Sequence, residues 1–166
     1  MDMSFALAGQ ELIASTRNSL FALVDGLQFE RHFNFALQTT NNAVLPLFDK
    51  YPDSRIAFAG PWLIDMHKAM ALRGKLTELE QHLPAVSWIL SALSLPELLV
   101  HLQQCMNAEM PDGRIALVRL QDPRVQIQLG EQLDEMQHRE ITKNIAEWYS
   151  SVHRRVYSLK QKEFIC

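Results

Sequence analysis

Cysteine is scarce in this chain: Cys105 and Cys166 are the only two. They form no Cys-x-x-Cys pair, so no disulfide framework is written in the sequence, and a reducing compartment is the default. Glycine is thin as well, at six well-separated residues. That argues against a glycine-rich phosphate cradle leading into Lys-Ser or Lys-Thr. Gly-x-Ser-x-Gly and His-Glu-x-x-His are both missing, which removes the nucleophile elbow and the helical zinc pair. No apolar run approaches the roughly 20 residues that a membrane-crossing helix needs. The N-terminal "MDMSFALAGQELIASTRN" has Asp2, no basic start and no long apolar centre, unlike a secretory signal. Cations are not in surplus: 16 Lys and Arg against 19 Asp and Glu give a formal net charge of -3. A nucleic-acid surface needs the opposite balance to neutralise phosphates. The expectation is a soluble, cytoplasmic protein that uses no nucleic acid, membrane or cofactor.

What is present suits a globular domain. Hydrophobic residues make up 48% and charged residues 21% of 166 positions, enough for one compact unit with its own core. "SLFALVDG" (Ser19 to Gly26) is an apolar run closed by Asp-Gly, the pattern of a buried strand running into a turn. In "LQFERHFNFALQTTNN", Phe29, Phe33, Ala36, Leu37 and Thr40 recur at helical spacing, and Asn41-Asn42 is a suitable end. Pro46 argues against a central strand in "AVLPLF". "YPDSR" has turn chemistry, "IAFAGPWLI" is extended in character, and "HKAMALRGKLTELEQHLP" is helical, weakened at Gly74.

"AVSWILSAL" is a second strand-like run, and "SLPELLVHLQQCM" opens with a capping box of Ser94 and Glu97. Leu95, Leu98, Leu99, Leu102 and Met106 then form one stripe. "MPDGR" is a turn, and "RIALVRL" alternates as a strand does. Asp122 is placed to cap a helix that starts at Pro123, with Val125, Leu129, Leu133 and Met136 on its buried side. At the C-terminal end, Ile141, Ile145, Trp148 and Val152 fit a helix, which favours one through Trp148; "EWYSSV" and "RVYSL" can also pair as a hairpin around "HRR". Short apolar runs alternating with helices indicate an α/β chain, a single compact domain with a small mixed sheet flanked by helices.

Chemistry is sparse. Asp25, Asp65 and Asp122 each follow an apolar run, where α/β proteins place catalytic acids. Each also has a structural role available: a turn at Asp25-Gly26, a helix start after Asp65, an N-cap at Asp122. In "VRLQDPRV", Arg119 and Arg124 bracket Asp122. An arginine partly buried there needs a carboxylate, and Asp122 is near enough to serve Arg119, giving a corner pinned by an Arg–Asp pair. An arginine that faces outward suits a protein interface. His101 and Cys105 share a helix face, but two ligands do not complete a metal site. The three tryptophans, Trp62, Trp88 and Trp148, and most of the seven methionines read as core.

The order of the pieces carries a resemblance. "ALVDG", "PLFDKYPDSRIAFAGPWLIDM", "VSWILSALSLPELLVHLQQCM" and "PDGRIALVRLQDPRVQIQL" together resemble the type VI secretion effector chaperone/adaptor domain family. The positions that carry it are Val24-Asp25-Gly26, Pro61 before Leu63-Ile64, Trp88 to Ser91, His101-Leu102, Asp112-Gly113, and Arg119 to Val125 with Asp122, Pro123 and Arg124. They cover roughly Leu20 to Gln137. The family pattern carries an aromatic after the first arginine of the corner, where this chain has Leu120-Gln121, and the segment beyond Gln137 matches little. Three segments follow: an N-terminal helical segment over 1–18, the adaptor-like domain over 19–137, and a divergent C-terminal segment over 138–166, helix or hairpin.

The resemblance implies a non-catalytic protein of the cytoplasm of a Gram-negative bacterium. Such a protein binds a cognate secreted effector, keeps it soluble and helps load it onto a spike (VgrG-type) protein. The family-motif residues are then structural or partner-binding. Two other functions stay open on the residues alone: a small α/β enzyme using Asp25, Asp65 or Asp122, and a homo-oligomeric scaffold.

Overall fold

A computed structural model of the chain describes residues 3–15, 17–50, 52–109 and 115–165. Among these residues the frame is a seven-stranded sheet. Third across it is β1 (Ser19–Asp25), buried along almost its whole length. It pairs with β3 (Pro61–Asp65) on one side and β4 (Val86–Ser91) on the other. A short strand β2 (Val44–Pro46) lies outside β3. Beyond β4 come β7 (Ile145–Val152), β8 (Arg155–Ser158) and β9 (Glu163–Phe164). Pro46 thus sits in an edge strand, where its missing N–H is tolerated. A separate hairpin pairs β5 (Asn107–Glu109) with β6 (Ile115–Leu117).

The α/β class expected from the sequence is borne out. The sheet itself is larger than expected and is not mixed: every pairing in it is antiparallel. The physical reason is coverage. Helices lie on both faces, so the central strands are apolar on both sides and lose the alternation that usually marks an antiparallel strand. Leu20, Ala22 and Val24 of β1 join one core cluster, and Phe21 and Leu23 join the other. The first cluster is closed by α1 (Met3–Ala14), α2 (Gly26–Phe33) and α3 (Arg73–His82), through Ala8, Phe29, Leu76 and Leu79. The second is closed by α4 (Leu95–Cys105), α5 (Pro123–Gln132) and α6 (Glu135–Ile141), through Leu95, Leu98, Leu102, Ile127 and Ile141. Trp88 and Trp148 are fully buried, one in each layer.

Several elements differ in extent from the sequence expectation. Helix α2 stops at Phe33, because Asn34 turns left-handed with φ 64° and directs its N–H to the Glu30 carbonyl. Ala36, Leu37 and Thr40 keep the helical spacing in sequence but lie beyond the helix. Asp53–Ala59 is a tight 3-10 segment, so extended chain begins only at Pro61. The "RIALVRL" strand is reduced to β6, and Val118 to Gln121 leave it to form the approach to α5. The "MPDGR" turn, with Asp112-Gly113, lies outside the described residues, as does Cys166. Met136 is exposed at 78%, because α5 ends at Gln132 and a new capping box at Asp134 and Gln137 restarts the chain at a different angle.

The largest correction is at the C-terminal end. A helix through Trp148 does not form. Ile145 to Val152 is a strand, and the hairpin alternative is the one observed, with His153 and Arg154 as its two-residue loop at φ 52° and 65°. Trp148 and Tyr149 then point to opposite faces and enter opposite cores.

Candidate functional site

The residues singled out by sequence converge where β1 ends and α5 begins. Asp25 is the last residue of β1 and the N-cap of α2, accepting from the amides of Leu27 and Gln28 at 3.1 and 3.2 Å. The Asp25-Gly26 pair is therefore a strand-to-helix cap and not a simple turn. Gly26 is required by close approach: a methyl there would overlap the carbonyl oxygens of Phe58 and Gly60 and the indole nitrogen of Trp62. Its own N–H donates to the Gly60 carbonyl at 2.8 Å, which brings the α2 start against β3 beside Pro61.

Asp122 caps α5 as expected, accepting from the Arg124 amide at 2.9 Å, with Pro123 at the first helical position. The arginines are distributed differently from the expectation. Arg124, not Arg119, takes Asp122, through Nε at 3.1 Å and Nη2 at 2.8 Å. Arg119 donates from Nη2 to Asp25 at 3.3 Å, a partner 94 residues away. Two N-caps are thus joined to two arginines across the same corner. The carboxylates are buried and the arginine side chains are 57% and 64% exposed. Each guanidinium keeps N–H donors directed at solvent.

Burial pushes the Asp25 carboxyl above the ordinary aspartate value of 3.8. The amide of Gln28, the Arg119 guanidinium and the amide of Leu27 draw it back, and the neighbouring Asp122 pushes it further up. The hydrogen bond that Arg124 donates to Asp122, and then the charge of Asp122, hold the proton of Arg124 more firmly than in a free guanidinium. Asp25 also contributes to that hold on Arg124, so the four groups form one electrostatic unit.

The other candidates are dispersed. Asp65 starts no helix; its side chain accepts from the His67 amide at 3.0 Å and closes a turn after β3. Trp88 donates its indole N–H to the buried carboxylate of Glu80 at 2.9 Å. Ser91 donates to the Asn144 carbonyl at 2.6 Å and accepts from the Leu93 amide, fastening the end of β4 to the start of β7. His101 donates from Nε2 to the Ile141 carbonyl at 2.9 Å, tying α4 to α6. Cys105 lies 3.7 Å from that nitrogen, and burial raises its thiol to about 11, so it is held as the neutral thiol. No group of three or more His, Cys, Asp or Glu able to hold a metal occurs among the described residues.

One feature that holds the corner in place escaped the sequence. Gln126 is fully buried on α5. It donates to the Leu120 carbonyl at 2.8 Å and to Ser87 Oγ at 3.0 Å, and accepts from Ser150. Trp148 donates to the same Ser87 oxygen at 3.0 Å. This network pins the corner to β4 and β7. Its signal was present: Gln126 lies three residues after Pro123 and four before Gly130, all buried and on one side of α5. A search for apolar stripes passes over it because the central member is polar.

The fold so built, a doubly covered antiparallel sheet with a double-capped arginine corner, can be set beside known families. Residues 20–140 match the family described as Domain of unknown function (DUF4123). The match spans well over half of the chain, and the protein belongs to that family. No curated protein and no solved structure matches the chain. No helix among the described residues is long and apolar enough to cross a membrane.

Proposed function

We propose that this protein is a chaperone/adaptor of the bacterial cytoplasm that binds a type VI secretion effector and helps load it onto the spike protein. The observation that carries this reading is the corner itself. Asp25 and Asp122, the best-placed acids, are occupied by helix amides and by Arg119 and Arg124. What they present outward is a pair of arginine heads in fixed positions, the side chain most suited to a polypeptide contact. The ordered motif series from Leu20 to Gln137 supports the same reading. Expression of the full chain with the products of its neighbouring reading frames tests it. The expected result is a stable complex, with the effector soluble only when the chain is present. If no neighbouring product co-purifies, the reading is wrong.

A second reading has one observation in its favour. Asp25 is a buried carboxyl with a raised pKa beside a cation, an arrangement also found in general acids. In that case Asp25→Asn abolishes an activity of the purified protein without lowering its thermal stability.

A further inference from the structure

Outside the arginine corner, an apolar opening lies on the α2 side of the sheet, next to the edge strand β2. It is a groove of about 310 Å³, near the lower end of pockets that hold small molecules, about 300 Å³. Phe29, Leu37 and Val44 form its buried floor, and Phe35, Ala69 and Leu72 its flanks. Phe35 stands 47% exposed, edge-on to Phe29 at 5.5 Å.

No carboxylate lines the groove, and Glu78 of α3, on the same face, is paired with His32 at 2.9 Å. From Arg31 through Phe48, and again from Met66 through Thr77, the chain contains no carboxylate. Those stretches hold Arg31, Lys68, Arg73 and Lys75 in a protein whose net charge is -3. Lys68 lines the groove. Lys75 Nζ sits 5.5 Å from the Phe33 ring and 5.8 Å from the Phe35 ring. Arg73 is turned over Phe5 at 4.6 Å.

The adjoining sheet edge limits the form of an occupant. The Val44 N–H donates to the Thr40 carbonyl and the Thr40 N–H to the Val44 carbonyl, both at 3.0 Å. Pro46 has no N–H. With those groups taken, strand addition along β2 is blocked. An apolar trough with a cationic rim and no free backbone ladder suits the helix-in-groove mode.

We propose that this groove seats an acidic amphipathic helix of the partner polypeptide. The helix lays its apolar side chains on Phe35 and Leu72 and its carboxylates against Lys68 and Lys75. The inference rests on the adaptor reading and adds to the arginine corner a second surface for the same partner.

The test uses the full chain and two synthetic helical peptides of about 15 residues. Both carry the same leucine and alanine face; one has glutamates on its polar face and the other lysines. Fluorescence anisotropy should show saturable binding of the glutamate peptide, weakening with salt, and binding of the lysine peptide at least about tenfold weaker. The double variant Lys68→Glu/Lys75→Glu should reverse that preference with an unchanged melting temperature, since both side chains are exposed. Phe35→Ala should weaken both peptides.

Absence of saturable binding, equal binding of the two peptides, or indifference to both variants overturns the proposal. So does a homodimer in light scattering that Phe35→Ala dissolves, which makes a second copy the occupant. Stronger retention on phosphatidylglycerol vesicles than on the glutamate peptide assigns the groove to a lipid surface and also overturns it. Co-purification separates the two levels. If Lys68→Glu/Lys75→Glu still captures the neighbouring gene product at wild-type yield, the groove assignment fails and the adaptor reading stands. If the wild type captures nothing, the adaptor reading fails whatever the peptides do.

Discussion

Asp25 shows how one side chain serves several ends. It caps α2, anchors Arg119 and stays buried, and burial is the strongest influence on its proton. Its folded pKa lies above 3.8, so the fold holds this proton more tightly than the unfolded chain does. The stability it contributes is complete below that ordinary value and is lost as pH rises through the folded pKa. Asp25→Asn keeps an oxygen to accept from Leu27 and Gln28 but cannot ionise. Relative to wild type, the variant should therefore gain stability between about pH 4 and about pH 7, read from urea midpoints at the two values. A difference that is flat or falls over that interval shows that Arg119 and the helix amides outweigh burial. The partner of Arg119 could not be read from sequence because Asp25 and Arg119 are 94 residues apart and meet only through the sheet.

At the scale of elements, caps were readable and loops were not. Ser94 with Glu97, and Asp122 before Pro123, announce helix starts because an N-cap side chain answers a local need, the orphan amides of the first turn. Asp122→Ala should lower stability by about 1 kcal/mol in denaturant unfolding, the usual loss for an N-cap. Arg124 adds little to that loss, since its side chain is mostly in water. The β7–β8 hairpin is the opposite case. Its loop is His153-Arg154, both with positive φ, where Asn-Gly is the usual signal. With that signal missing, the period of Ile141, Ile145 and Trp148 suggests a helix. Replacing His153-Arg154 with Asn-Gly should stabilise the protein by about 1 kcal/mol and raise its melting temperature by a few degrees. An unchanged or lower melting temperature argues against left-handed residues in that loop.

For the whole molecule, the decisive feature is a sheet covered on both faces. Helix α5 approaches it closely only because residue 130 is glycine; a methyl there would overlap the Tyr157 hydroxyl of β8. That hydroxyl is buried and has no hydrogen-bond partner among the described residues. Gly130→Ala should destabilise the protein by about 1–3 kcal/mol. Tyr157→Phe should be close to neutral or stabilising, because it removes a buried polar atom without a partner. Combined, the two should cost clearly less than their sum, with a coupling of at least about 0.5 kcal/mol in a double-mutant cycle. Additive losses would mean that α5 and β8 are not packed at this distance.

By itself, the sequence determined the class of fold, the buried strands at Ser19–Asp25 and Val86–Ser91, the leucine face of α4 and the two best helix caps. All of these answer to short-range rules: apolar runs, periodicity within a few turns, and amides that need an acceptor nearby. Only the tertiary structure decided that all the sheet pairings are antiparallel, that the C-terminal segment adds three strands, that Arg119 belongs to Asp25, and that Gln126 holds the corner to Ser87 and Ser150. Strand direction is invisible when both faces of a strand are apolar. A polar residue's partner across the chain is set by packing, which no local window contains.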